Sequence, residues 1–289
     1  MTSDHSLNTR DIRRRFDRAA RGFDNADFVH GVTRDGLFAR LEPVVIDARV
    51  VVDLGCATGS ATARLAKRFR GAKIIAVDLS QQMLERCRAK QGWFSKTSVV
   101  QASGTAMPFK EQSVDIIFAN LLLPWVSDTA EIAAEVSRVL RKDGLFVFAT
   151  LGPDSLLELR DAWVGDANHA HVNRFIDMHD VGDAMVRSGL RDPVLDVDRL
   201  SVTYESAQDL FRDLTATGGR NALSMRSRSL TGKQRFAAMC ERLEKTDLGD
   251  PLKLDLELVY GHCWGGGPRL SSGDVRIDAS AIPVRRNEL

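Results

Sequence analysis

The 289-residue sequence contains no long hydrophobic run and little net charge. No stretch of 18 consecutive apolar residues occurs, so we expect no transmembrane helix. The first residues, MTSDHSLNTRDIRRRF, are polar and lack the apolar core of a secretory signal. The formal net charge of +1 favours no particular class of partner. These absences predict a cytoplasmic protein with no membrane segment.

Closely spaced cysteines, which could form a metal site, are also lacking. The sequence has no CxxC motif, and its four cysteines are scattered: Cys56, Cys87, Cys240 and Cys263. This distribution favours buried thiols in a reducing compartment and no bound metal. His169 and His171 are metal ligands by residue type. They have no partner nearby in the sequence, so we expect them to remain solvated.

Strand and helix patterns alternate between residues 49 and 150. Apolar runs such as VVVDL, KIIAVD and VDIIFAN are separated by helical segments such as SATARLAKRF. Continuous Val, Ile and Phe runs flanked by helices are typical of a parallel sheet that is buried on both faces. The sequence therefore predicts an α/β fold, doubly wound, with a mostly parallel seven-stranded sheet.

The remaining segments indicate how the chain is organised. Residues 1–42 are predicted to form a helical cap, because Ile12 and Phe16 fall on the same helix face. Residues 43–265 would form the main domain, closed by the alternating strand LKLDLELVYGHCW. Within it, the regular alternation is interrupted by an insertion at about residues 151–250. Residues 266–289 are expected to form a flexible tail.

The stretch VVDLGCATGSATARL predicts a strand, a glycine turn and a helix. A dinucleotide fingerprint requires glycine at its first, third and sixth positions, which here are Gly55, Ala57 and Ser60. A P-loop is excluded because no Gly-Lys-Ser/Thr sequence follows. Asp53, two residues before the turn, would repel a pyrophosphate but suits a positively charged ligand.

A second carboxylate narrows the choice of ligand. Asp78 ends the next strand, 23 residues beyond Gly55, where its carboxylate can accept both hydroxyl groups of a ribose. S-adenosylmethionine carries a sulfonium, an ammonium and no phosphate. The combination of Asp53, Gly55, Gly59 and Asp78 therefore favours S-adenosylmethionine over the simpler interpretation of a tight turn with an exposed aspartate.

These motifs resemble the class I S-adenosylmethionine-dependent methyltransferases. In that family an acid after the third strand often holds the adenine, and the matching stretch ASGTAMPF has Ser103 there. Ala57 stands in place of the usual middle glycine. VDIIFANLLLPWV matches the fourth-strand motif. The resemblance implies that the cofactor is bound by Asp53, Gly55, Ala57, Gly59, Asp78, Leu79, Ser103, Gly104, Asn120 and Leu121.

The segments around this core resemble the malonyl-[acyl-carrier protein] O-methyltransferases of biotin synthesis. RRRFDRAARGFDNADFVHG precedes the sheet, and LGPDSLLELRDAW, HVNRFIDMHDVGDAM and LVYGHCWG follow it in the family's order. The resemblance implies methylation of the free carboxylate of a malonyl group on acyl carrier protein. A carboxylate is already ionised at neutral pH, so the reaction needs no general base.

Two alternatives remain open at this stage. Mitochondrial complex I assembly factors share the core and parts of the later segments, and one of them is associated with arginine hydroxylation. A relative that binds cofactor or a carrier protein without catalysis is the other. Three departures from the family's pattern are the reason for considering that second alternative: Ala57, Ser103, and Phe23 in place of the usual tyrosine.

Three residues are candidates for the acceptor site: Arg174 in the predicted insertion, and Phe23 and Trp125 as walls of the pocket. A cation is needed to steer the malonyl carboxylate, and Arg174 in HVNRF is the candidate, because a guanidinium can grip one oxygen and leave the other free. A structural ion pair is the alternative for Arg174. Phe23 and Trp125 are candidates for pocket walls, with plain core packing as the alternative.

Two basic clusters are candidates for docking an acidic carrier protein. The first lies on the predicted amino-terminal helix and the second follows TATGGRNAL; together they comprise Arg10, Arg13, Arg14, Arg15, Arg18 and Arg21, then Arg220, Arg226, Arg228, Lys233 and Arg235. Solvated helix faces are the alternative. Nucleic acid is not expected as a partner, because aromatic residues are not interleaved with these charges.

Overall fold

The computed structural model describes residues 6–92, 96–163, 171–224, 226, 232–245 and 251–267. These residues form a seven-stranded sheet from β1 (Val50–Leu54), β2 (Lys73–Asp78), β3 (Thr97–Gln101), β4 (Val114–Asn120), β5 (Leu140–Leu151), β6 (Leu190–Tyr204) and β7 (Leu252–Gly265). The helices are α1 (Thr9–Ala19), α2 (Phe23–Ala26), α3 (Phe28–Leu41), α4 (Ser60–Arg68), α5 (Gln81–Ala89), α6 (Thr129–Val139), α7 (Leu157–Asp161), α8 (Met178–Arg187), α9 (Ala207–Ala216) and α10 (Lys233–Glu244), with a 3-10 turn at Leu123–Trp125.

The sheet has the strand order β3-β2-β1-β4-β5-β7-β6. Neighbouring strands from β3 to β5 are parallel, whereas β7 is antiparallel to both β5 and β6. The predicted doubly wound, mostly parallel sheet is therefore confirmed. The chain reverses its strand order beside β1, and ligands of open α/β sheets bind at such a point, outside the carboxyl ends of the strands.

Alternating residues of the central strands fill two cores on opposite faces of the sheet. Val52 and Ile117 belong to the core covered by α6 and α8, whereas their neighbours Val51 and Ile116 pack against residues of α3 and α4. Successive side chains of a strand point to opposite faces. Because both faces are covered, the strands are apolar at nearly every position.

The segment after β5 has a core of its own. Helices α7, α9 and α10 pack around Leu210, Met239 and Leu254, the last of which lies on β7. The long strands β6 and β7 remain paired as far as Tyr204 and Leu252. The predicted insertion thus shares its strands with the main sheet. The division into domains stays a prediction, and residues 268–289 of the predicted tail lie outside the described residues.

The cysteines, the potential metal ligands and the lengths of the helices can be compared with the expectations from the sequence. All four cysteines are free and buried. In the described ranges no group of three or more potential metal ligands occurs. No helix within those ranges is both long and apolar enough to cross a membrane.

Candidate functional site

Two adjoining cavities open near the carboxyl edge of the parallel strands. The smaller cavity is lined by the ends of β1, β2 and β4 and by residues of α1 and α2. The larger cavity, of about 880 Å³, is lined mainly by β6, α9 and the segments around them. His30, Leu121 and Trp125 line both. We call these three residues the junction, because groups bound in the two cavities would meet there.

The turn after β1 is shaped by residues in the left-handed region of the backbone. Gly55 has a φ of 75° and Gly59 a φ of 87°. The amide of Gly55 donates a hydrogen bond to the Val77 carbonyl at 2.8 Å, which ties the turn to β2. A Cβ on Gly59 would lie 2.5 Å from the Sγ of Cys87, so a side chain there would push against α5. Gly59 directly precedes α4 and does not line the smaller cavity.

Asp78 ties the turn after β1 to the start of α5. Its carboxylate accepts hydrogen bonds from the amides of Ala57 at 2.9 Å and Ser80 at 2.8 Å. Burial raises the pKa of Asp78 to about 6, although these hydrogen bonds act in the opposite direction. A carboxylate has about four acceptor positions, so Asp78 retains capacity for the hydroxyl groups of a ligand.

Asp53 does not face the cavity, contrary to the sequence-based expectation of direct contact with a cationic ligand. It is buried, and its carboxylate accepts a hydrogen bond from the Thr62 hydroxyl at 2.5 Å. Burial raises the pKa of Asp53 to about 7, and the charge of Asp78 adds to the increase. Asp53 therefore lies behind the lining of the smaller cavity and ties the end of β1 to α4, and its role in cofactor binding stays a prediction.

The loop after β3 and the end of β4 complete the lining. Ser103, Gly104, Asn120 and Leu121 all border the smaller cavity. A Cβ on Gly104 would lie 3.3 Å from the side chains of Ile132 and Leu122, so a larger residue there would require these side chains to shift slightly. The amide of Asn120 donates to the main-chain carbonyl of His30 at 2.9 Å, while its Oδ1 is buried and has no partner among the described residues. That oxygen is free to accept a hydrogen bond from a ligand.

Aromatic rings form one wall of the smaller cavity. Phe23 is buried, lines this cavity and packs edge-on against His30 with the ring centroids 5.0 Å apart. Trp125 packs edge-on against Phe16 at 5.1 Å. Both predicted pocket-wall residues therefore border a cavity while also packing against aromatic neighbours.

Most of the predicted cofactor-binding residues come together, and their role in binding stays a prediction. The smaller cavity is lined by Gly55, Ala57, Asp78, Leu79, Ser103, Gly104, Asn120 and Leu121. Asp53 and Gly59 support the lining from behind.

Arg174 does not line either cavity. Its side chain is exposed, although Asn173 and Phe175 on either side of it border the larger cavity. Its role in acceptor binding stays a prediction. His171 is half-buried and stacks on Trp163 with the ring centroids 3.8 Å apart, so it is not the solvated residue that the sequence suggested. His169 lies outside the described residues.

The two basic clusters differ in exposure. Five arginines of the first cluster are exposed: Arg10, Arg13, Arg14, Arg18 and Arg21. Arg226 of the second cluster is half-buried and pairs with Asp11 at 2.6 Å, which leaves it poorly suited to docking. Arg228 lies outside the described residues, and Lys233 and Arg235 are exposed on α10.

Sequence reasoning missed His30 and Arg15 as site residues. His30 lies in the quoted stretch FVHG, and its Nδ1 is buried without a partner among the described residues. Burial lowers its pKa to about 4, so its ring is neutral at pH 7. Arg15 lines the larger cavity but looks like any other arginine of α1 in the sequence. Only the packing of α1 against distant segments distinguishes it.

Comparison with known proteins places this architecture among methyltransferases. Residues 52–148 match the family model described as a methyltransferase domain. The fold resembles that of the YcgJ protein from Bacillus subtilis, with a TM-score of 0.59 and 16% identity, covering 80% of this chain and 98% of that one. A putative methyltransferase from Bacillus halodurans gives a TM-score of 0.60 at 13% identity, with 81% and 99% covered. The fold is thus that of a class I methyltransferase.

Full-length sequence similarity is more specific. The malonyl-[acyl-carrier protein] O-methyltransferase of Halorhodospira halophila is 39% identical, with 97% of each chain covered. The enzyme of the same name from Legionella pneumophila is 37% identical, with 96% of each chain covered. The chain belongs to the malonyl-[acyl-carrier protein] O-methyltransferase family. The comparisons give no support to the alternative of a complex I assembly factor.

Proposed function

We propose that this protein transfers a methyl group from S-adenosylmethionine to the free carboxylate of a malonyl group carried by acyl carrier protein. The observation that carries the proposal is the junction, where a cavity at the sheet edge meets a larger cavity formed by the family-specific segments. A cofactor in the first and an acceptor in the second would meet at His30, Leu121 and Trp125.

The smaller cavity fits S-adenosylmethionine in its chemistry. Asp78 would accept the ribose hydroxyl groups, and the unpartnered Oδ1 of Asn120 would accept a hydrogen bond from the ammonium group. Ser103 and Gly104 would border the adenine. When bound, the cofactor supplies an electrophilic methyl group attached to a sulfonium.

The acceptor requires positioning rather than activation. A malonyl carboxylate is ionised at neutral pH and can attack a methyl group without a general base. The protein must hold its oxygen in line with the methyl group and exclude water. Leu121 and Trp125 provide an apolar boundary at the junction. Arg174, whose neighbours Asn173 and Phe175 line the larger cavity, would guide the carboxylate inward.

The neutral state of His30 suits a site next to a sulfonium. Because the pKa of His30 is lowered to about 4, the ring carries no positive charge that would repel the cofactor. A neutral imidazole can still donate one hydrogen bond and accept another. His30 can therefore contact the acceptor without adding charge to the junction.

Methyl transfer to different acceptors tests the proposal. We expect label from methyl-labelled S-adenosylmethionine to appear on malonyl-carrier protein and to be released by mild base, as a methyl ester requires. Acetyl-carrier protein, which lacks the free carboxylate, should remain unlabelled. Malonyl-coenzyme A measures how much the carrier protein itself contributes. Label on acetyl-carrier protein, or label that resists base, would contradict carboxylate methylation.

A further inference from the structure

Arginines from two distant parts of the chain meet in the larger cavity. Arg15 lies on α1, whereas Arg220 and Arg226 follow α9. All three line the larger cavity, and none lines the smaller one. We call them the arginine cluster. Arg220 is exposed to solvent, whereas Arg15 and Arg226 are half-buried. At least the Arg220 end of the cluster therefore lies at an opening of the cavity, and no member belongs to the junction.

Main-chain contacts hold the two parts together. The Asn8 amide donates to the Ala222 carbonyl at 3.1 Å, and the Ser224 amide donates to the Ser6 carbonyl at 2.8 Å. The guanidinium of Arg15 donates to the main-chain carbonyl of Arg220. Because the backbone fixes these segments against each other, the cluster is a built feature of the fold.

The cluster has more positive than negative charge. Arg226 is paired with Asp11 at 2.6 Å. Arg15 and Arg220 have no carboxylate within ion-pairing distance among the described residues, and Arg220 instead donates from Nε to the Thr215 hydroxyl at 2.7 Å. Asp213, a carboxylate, also lines the cavity.

The environment of Arg15 favours an anion. Burial lowers the pKa of the Arg15 guanidinium, and the charge of Arg226 lowers it further, while Asp11 acts in the opposite direction. A half-buried cation beside another cation is less stable unless a negative charge compensates it. A bound anion would supply that compensation.

We propose that Arg15 and Arg220 bind the phosphate of the acceptor's phosphopantetheine arm. This inference rests on the proposed function, since it assumes that an arm-borne acceptor enters the larger cavity. The phosphate lies at the end of the arm nearest the carrier protein, so it should remain at the opening while the thioester reaches inward. Planar guanidinium groups suit phosphate recognition through paired hydrogen bonds.

The position of the cluster distinguishes phosphate from carboxylate. The malonyl carboxylate must reach the junction to react, and no arginine of the cluster belongs to the junction. A carboxylate held at the cavity opening would be away from the methyl group. The malonyl carboxylate is nevertheless the other anion of the same acceptor, and the experiment separates the two.

Titration calorimetry with phosphopantetheine and with pantetheine tests whether the arginine cluster binds the phosphate. We expect the wild-type protein to bind the phosphorylated form roughly tenfold or more tightly, the effect of a hydrogen bond to a charged group. Arg15→Gln and Arg220→Gln should each lose most of this preference, and Arg220→Lys should keep part of it. Arg212→Gln is the control, because Arg212 is exposed on α9, pairs with Asp209 and lines neither cavity.

A second pair of ligands tests whether the arginine cluster binds the malonyl carboxylate instead. Malonyl-pantetheine and acetyl-pantetheine carry no phosphate and differ in the free carboxylate. If the variants lose the malonyl preference but keep the phosphate preference, the proposal is overturned in favour of the carboxylate. Unchanged preferences for both, in variants with wild-type unfolding curves, overturn it as well. A phosphate preference that depends on both arginines, without any methyl transfer to malonyl-carrier protein, would support the subsite and remove only the proposed function.

Discussion

The two cavities are built in different ways. The smaller cavity depends on local turns at the sheet edge, where the main-chain bonds of Gly55 and the carboxylate of Asp78 hold neighbouring strands together. The larger cavity depends on contacts between distant segments, with main-chain pairs such as Asn8 and Ala222 and side-chain pairs such as Arg226 and Asp11, which are 215 positions apart. Substitutions should therefore damage the first through the backbone and the second through lost contacts with the acceptor.

The largest effect is expected for Gly59→Ala. The substitution places a Cβ 2.5 Å from the Sγ and 3.3 Å from the Cα of Cys87, at a residue with a φ of 87°. Left-handed strain costs about 1–2 kcal/mol and overpacking about 1–3 kcal/mol, so the free energy of unfolding should fall by about 2–5 kcal/mol. Chemical denaturation measures this change.

Gly71→Ala is the matched control. A Cβ on Gly71 has nothing within 4 Å and the residue has no positive φ. Its free energy of unfolding should stay within about 0.5 kcal/mol of wild type, as for an ordinary surface substitution. Equal losses in the two variants would show that the turn after β1 is not specially constrained.

Asp78→Asn should separate cofactor binding from acceptor binding. The amide keeps the size of the side chain but removes the charged acceptor for ribose hydroxyl groups. We expect S-adenosylmethionine to bind more weakly by about 1.5–3 kcal/mol, measured by titration calorimetry. Binding of pantetheine ligands in the larger cavity should change little. Unchanged cofactor affinity would exclude Asp78 from the ribose site.

The raised pKa values of two carboxyl groups, Asp78 and Asp53, predict opposite pH dependences for protein stability and for cofactor binding. The pKa values of Asp78 and Asp53 are raised from 3.8 to about 6 and about 7. Their contribution to stability is therefore fully present below the unfolded value and is lost as pH rises through the folded values. Cofactor affinity should instead rise as Asp78 ionises near pH 6. Unfolding curves without ligand and calorimetric titrations across this range check both trends, and Asp53→Asn should reduce the pH dependence of stability.

Arg174→Gln tests the acceptor side of the comparison. If Arg174 guides the malonyl carboxylate, kcat/KM for malonyl-carrier protein should fall about tenfold, the lower end for a charge-assisted contact. Cofactor affinity should stay near wild type. Arg174→Lys should restore only part of the activity, because an ammonium cannot form a bidentate contact. A loss of stability that parallels the loss of activity would support a structural ion pair instead.

A smaller effect is expected from reversing the exposed charges of α1. Arg14→Glu with Arg18→Glu should raise the KM for malonyl-carrier protein several-fold, and added salt should reduce the difference. Malonyl-coenzyme A, which presents no acidic protein surface, should be affected much less. The matched reversal at Lys233 and Arg235 tests the exposed part of the second cluster. If neither reversal alters the kinetics, both surfaces are only solvated helix faces.

The sheet could be predicted from the sequence because its signals are local. Val51 and Val52 belong to an apolar run that is typical of a strand buried on both faces, and Gly55 marks the turn that follows. The direction of the Asp53 side chain could not be predicted, because its contact with Thr62 depends on how α4 packs against β1.

The residues of the acceptor side were harder to predict, because packing between distant segments, rather than a local pattern, decides which of them line the cavity. Arg15 and Arg14 are indistinguishable in sequence, yet one lines the larger cavity and the other is exposed. Their difference arises from main-chain pairing between residues 6–8 and 222–224, which no local pattern indicates. His30 was missed because a single histidine in a helix usually has no special role.

The smallest expected effect concerns Ala57, which has a φ of 47° where the family usually has glycine. Ala57→Gly relieves left-handed strain of about 1–2 kcal/mol, but it also removes a half-buried methyl group worth about 0.8 kcal/mol. The free energy of unfolding should therefore rise by no more than about 1 kcal/mol. The Ala57 amide, which donates to Asp78, is retained, so cofactor affinity should remain close to wild type. Parallel denaturation and calorimetry measure both quantities. A large loss of affinity would show that the alanine methyl group contacts the cofactor, and that this wall of the smaller cavity relies on a side chain as the larger cavity does.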